Sequence, residues 1–120
     1  MDLNPNNYSW VSNKTIYEWR KLLKEGLLKQ NQYRSDLSGT YSLSLQMHEG
    51  IVTRACLPKS VKWHYMIYHE FNCFLLTPEE HIPLPPSREW CIQKAFEKYG
   101  EEAVREWFYN LPWKVIPFRI

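Results

Sequence analysis

A chain of 120 residues with a formal net charge of +2 suits one domain and gives no bulk electrostatic argument for a polyanionic partner. Three cysteines, Cys56, Cys73 and Cys91, form no C-x-x-C pair. This speaks against a cysteine-rich structural zinc site and a disulfide scaffold, and fits a reducing compartment, the cytoplasm. No apolar run approaches the roughly 20 residues that span a bilayer, so no membrane partner is expected.

Residues 1–14 are rich in Asn, Ser and Pro and read as an irregular arm, pinned by Tyr8, Trp10 and Val11. The opening Met1-Asp2-Leu3-Asn4-Pro5-Asn6-Asn7 has neither a basic nor an apolar segment of a signal peptide. Thr15 followed by Glu18 fits a capping box and predicts a helix over 16–28, with Ile16, Trp19, Leu22, Leu23 and Leu27 inward. Its other face is basic: Arg20, Lys21 and Lys24 form a solvated face or contact a DNA backbone. Residues 30–40 read as a loop.

Strict alternation over 41–48 predicts a strand. Tyr41, Leu43, Leu45 and Met47 take one face; Ser42, Ser44, Gln46 and His48 take the other. Glu49-Gly50 ends it. A short extended piece is expected over 51–56, with Arg54 as a further candidate phosphate contact, then a turn at Leu57-Pro58-Lys59-Ser60. The aromatic connection 61–68 fits strand or helix equally. His64 and His69 read as structural or exposed.

Cys73-Phe74-Leu75-Leu76 is a continuous apolar run and predicts a short buried strand. Thr77 is a helix N-cap, Pro78 suits the first helical position, and Thr77-x-x-Glu80 makes a second capping box. His81 closes that first turn, and Pro83, Pro85 and Pro86 allow only one or two turns. Ser87 caps a helix over 88–99, Gly100 ends it, and a last helix over 101–110 turns Val104, Trp107, Phe108 and Leu111 inward. The apolar tail 112–120 packs back on the domain or docks a partner. Six Trp, eight Tyr and five Phe suit a small mixed core, or a surface that stacks on bases.

His48 and Glu49 at a strand end, Asn72 at a strand entry and His81 at a helix start are side chains suited to phosphodiester hydrolysis. A neutral imidazole can activate water near pH 7, and imidazole and carboxylate hold divalent ions that stabilise phosphate charge. With His81 nine positions after Asn72, the arrangement resembles the HNH (His-Me finger) nuclease family, and is similar to its small phage-type members. The resemblance covers roughly 41–111.

The resemblance implies an α+β fold: a ββα-metal core over 41–111 with flanking helices, preceded by the arm and basic helix of 1–40. It implies a metal-dependent DNA endonuclease or nickase in the cytoplasm of a host cell, with one divalent ion, Mg2+, Mn2+ or Ni2+. DNA is the expected partner, with a homodimer or a phage protein as further options. His48 serves as base with Glu49 helping to hold metal, or the reverse. His81 is then a metal ligand, and Asn72 orients the loop or a histidine. The family's second zinc-binding cysteine pair is replaced by Thr77 and Glu80, so no structural zinc is expected, and Pro85 stands where some members carry another histidine. A non-catalytic nucleic-acid-binding module on a degenerate HNH fold, and a small protein-interaction domain, are the alternatives.

Overall fold

A computed structural model describes residues 13–57 and 65–120. The expected N-terminal arm with Tyr8, Trp10 and Val11, the residues Pro58-Lys59-Ser60 and His64 lie outside them. The described residues form an α+β fold of four α-helices and one two-stranded antiparallel sheet. In chain order these are α1 (Asn13–Gln30), β1 (Gln46–Glu49), β2 (Cys73–Leu76), α2 (Pro78–His81), α3 (Arg88–Tyr99) and α4 (Glu101–Tyr109). Short 3-10 turns at Arg54–Cys56, Tyr65–Ile67 and Glu70–Asn72 link β1 to β2.

The centre follows from local chemistry. All four residues of β2 are buried, as its unbroken apolar run requires. Thr77 then stops the strand: its hydroxyl accepts from the Glu80 amide while the Glu80 carboxylate accepts from the Thr77 amide, and Pro78 supplies the first helical residue. His81 ends α2. Ser87 caps α3 through the Trp90 amide, and Gly100, at φ 93°, makes the sharp junction into α4 that a side chain would strain.

Three expectations are corrected. The strand over 41–48 shrinks to Gln46–Glu49, and Tyr41 and Leu43 are exposed rather than inward. Gln46 pairs with Leu76, the last residue of β2, so no partner strand extends beyond it. The serines upstream make local bonds instead, with the Ser44 amide donating to the Ser42 hydroxyl. The helix expected from Ile16 begins at Asn13, so Thr15 lies inside it and not at its cap, and it continues past Gly26 to Gln30. Ile16 and Leu27 are buried, but Leu22 is 68% exposed. The extended piece at 51–56 contains the 3-10 turn Arg54–Cys56 instead.

The loop after α1 covers the outer edge of β2. The Asp36 amide donates to the Leu75 carbonyl at 2.8 Å, and its carboxylate accepts from the Leu75 amide at 2.7 Å. Lys98 of α3 pairs with the same carboxylate at 2.9 Å. Gly50 lets the chain pass against α3: a Cβ there would meet the Cys91 Cβ at 2.9 Å and Phe74 at 3.0 Å. Cys73 and Cys91 are core residues, while Cys56 is half-buried.

The tail folds back on the domain. Trp113 donates from its indole to the Phe108 carbonyl at 2.7 Å, and the Phe118 ring lies 5.1 Å from that of Phe108. No helix among the described residues is long and apolar enough to cross a membrane.

Candidate functional site

Alternation along β1 builds the site. Met47 is buried, so Gln46 and His48 project from the opposite face of the strand. α2 leaves β2 directly and sets His81 over that face. The His48 and His81 rings meet edge to face, with centroids 5.0 Å apart. Two residues before His48, the Gln46 side-chain oxygen accepts from the His81 Nδ1 at 2.8 Å. An amide oxygen can only accept, so Nδ1 carries a proton in this bond, and whenever the ring holds a single proton its lone pair lies on Nε2. Burial, and secondarily electrostatic repulsion from the neighbouring His81 imidazole, hold His48 below its ordinary pKa. His48 is therefore a neutral proton acceptor near pH 7.

Asn72 is fully buried. Its side-chain oxygen accepts from the amides of Ile51 at 2.9 Å and Val52 at 2.8 Å. Its side-chain nitrogen donates to the carbonyls of Val52 at 2.8 Å and Ile67 at 2.9 Å. These four bonds use the full capacity of a carboxamide. Asn72 thus locks the chain leaving β1 to the chain approaching β2 and has no bond left for a substrate. It orients the loop.

Glu49, next in the strand, takes a different direction. Its carboxylate lies 3.9 Å from the Arg20 guanidinium of α1. Among the described residues no three His, Cys, Asp or Glu side chains gather closely enough to hold a metal ion. The structure therefore brings His48 and His81 together, but does not add Glu49 to the pair.

An open cleft of about 540 Å3 begins beside His48. Arg20, His48, Glu49, Thr53, Arg54 and Tyr68 line it. Two of the four expected basic contacts, Arg20 and Arg54, thus share one cavity, whereas Lys21 and Lys24 lie on α1 outside its lining. Tyr68 organises the arginines. Its ring has the Arg20 guanidinium at 5.8 Å and that of Arg54 at 5.9 Å. Its hydroxyl accepts from Arg54 at 2.7 Å, and its carbonyl accepts from the Trp19 indole at 2.8 Å.

His69 is structural. Its Nδ1 accepts from the Phe71 amide at 3.0 Å, and its ring stacks on Trp107. Gln46 and Tyr68 escaped the sequence reading as site residues. Gln46 had a usable signal, since alternation put it on the His48 face. Tyr68 had none, because its partners come from residues 20 and 54 and its own segment had no clear period. In comparisons with known proteins, no family model, no curated protein and no solved structure matches this chain.

Proposed function

We propose that the protein is a metal-dependent DNA endonuclease or nickase of the HNH type, with its site between β1 and α2. The observation that carries this reading is the His48–His81 pair, 5.0 Å apart between ring centroids, behind a loop locked by Asn72. The antiparallel β1–β2 pair running straight into α2 supports a ββα core.

The available donors fit a sparsely held ion. His81 offers Nε2, its tautomer set by Gln46 in the way that bonds behind a ligand usually set it. An ion that keeps several waters, such as Mg2+ or Mn2+, needs few protein ligands, and Ni2+ accepts imidazole readily. When bound, such an ion would stabilise negative charge on the phosphate. His48, neutral near pH 7, takes the proton of the attacking water. Glu49 is the alternative base, with both histidines then serving as ligands.

The test is nicking of supercoiled plasmid with Mg2+, Mn2+ or Ni2+. Wild type should convert plasmid, and His48→Ala and His81→Ala should each lose about 100-fold or more in rate. With His48 as base, the rate should rise with pH and level off below the ordinary histidine range, since its pKa is lowered. Equal cleavage by wild type and the double variant defeats the proposal. One observation favours a second reading, a non-catalytic DNA-binding module: no three-residue metal group is present among the described residues. Salt-dependent DNA binding with no cleavage in any of the three metals would select it.

A further inference from the structure

The cleft beside His48 has an unusual charge arrangement. Two guanidiniums are held near one tyrosine ring, at 5.8 Å and 5.9 Å, and among the described residues the Glu49 carboxylate faces one of them, that of Arg20. Tyr68 is buried and anchored at both ends, so it is a rigid post. Arg54 spends one of its N–H groups on the Tyr68 hydroxyl and keeps others for a ligand. Arg20 meets Glu49 at 3.9 Å, which is longer than a hydrogen bond. That contact is a loose Coulombic one, and an oxyanion that can be gripped bidentately competes well for the same guanidinium.

We infer that this cleft seats one phosphate group of a duplex DNA backbone, with Arg20 and Arg54 as its guanidinium ligands, Tyr68 as the positioning residue, and Glu49 as the resident anion that the phosphate displaces. The inference rests on the DNA reading of the histidine site and adds to it the groups that seat the backbone and the one that resists it. Arg20 exchanges one anion for another when phosphate arrives. Glu49, next to His48 in β1, is then left without its cation. Glu49 therefore acts against binding, although it lies in the site. Removing its charge strengthens binding instead of weakening it.

The experiment is fluorescence anisotropy of a labelled DNA duplex with the whole chain, in chelator, over a range of salt. Arg20→Gln and Arg54→Gln should each weaken binding about 3–10-fold and lower the salt slope by about one. Tyr68→Phe keeps every charge, so it should weaken binding about 2–5-fold with the slope unchanged, which a loss of charge could not do. Glu49→Gln should tighten binding about 3–10-fold. A Glu49→Gln protein with wild-type circular dichroism that binds no better than wild type overturns the inference, as do arginine variants that bind normally.

Calorimetric titration with inorganic phosphate alone forms the second arm. Phosphate binding that needs Arg20 and Arg54, beside duplex binding that does not, assigns the cleft to free phosphate and overturns the duplex site. The two proposals separate cleanly. A chain that shows these binding shifts but never nicks plasmid keeps this site and loses the nuclease reading. A chain that nicks plasmid with unshifted binding loses this site alone.

Discussion

Asn72 illustrates how one side chain can hold a site without entering its chemistry. It satisfies two amides and one carbonyl at Ile51 and Val52, and one carbonyl at Ile67. Leaving a buried polar group unpaired costs about 1–3 kcal/mol, so losing several partners at once is severe. Asn72→Ala should lower stability by about 3 kcal/mol or more, read as a lower urea midpoint with an unchanged slope. Asn72→Asp should also destabilise, because the oxygen that replaces Nδ2 would face the Val52 and Ile67 carbonyls. A wild-type midpoint in either variant would show that the loop has other supports. At the same scale Gln46 does for His81 what Asn72 does for the loop. Both act by fixing a neighbour.

At the scale of elements, β2 is protected on one side by β1 and on the other by a loop. Asp36 imitates a strand residue there, donating and accepting across Leu75, and Lys98 neutralises it. Breaking a buried ion pair from one side costs about 3–5 kcal/mol. Asp36→Ala should cost that order in a denaturation experiment and speed hydrogen exchange at the Leu75 amide; Asp36→Asn, which keeps an acceptor, should cost less. If exchange at Leu75 does not change, the edge is covered otherwise. The elements that can be read from sequence are those set by neighbours in the chain. Thr77-Pro78-Glu79-Glu80 and Ser87 carry their caps within four residues, and α3 matches the expected 88–99. β1 was overdrawn because alternation does not reveal the length of the partner strand. The Asp36 edge was invisible because its partners lie 39 and 62 residues away. The histidine pair was legible as residue types on two predicted faces. Its separation from Glu49 was not, because Arg20 approaches from another element.

For the whole molecule, acid is the expected weakness. Burial holds His69 down to about 4, well below an unfolded histidine near 6.5. Between those values the unfolded chain binds the extra proton, so stability rises with pH across that window and falls as pH drops through it. A gap of that size corresponds to on the order of 3 kcal/mol. His48 is lowered too and adds to the same trend. Urea midpoints measured from pH 4 to 7 should rise steadily, and His69→Asn, which keeps an acceptor for the Phe71 amide, should flatten the rise. A flat wild-type profile would mean that His69 titrates normally in the folded protein.

The three cysteines have a practical consequence. Thiol reagents need both access and thiolate. Cys91 is buried with its thiol pushed up to about 12 by burial and by Asp36, and Cys73 is buried and raised as well. Cys56 is half-buried, and its Sγ lies 3.4 Å from the hydroxyl of Thr53, which lines the cleft. A maleimide dye added to the unaltered chain would therefore mark the rim of the arginine cleft. The fold thus carries its own labelling position, from which the arrival of a ligand can be followed without engineering the sequence.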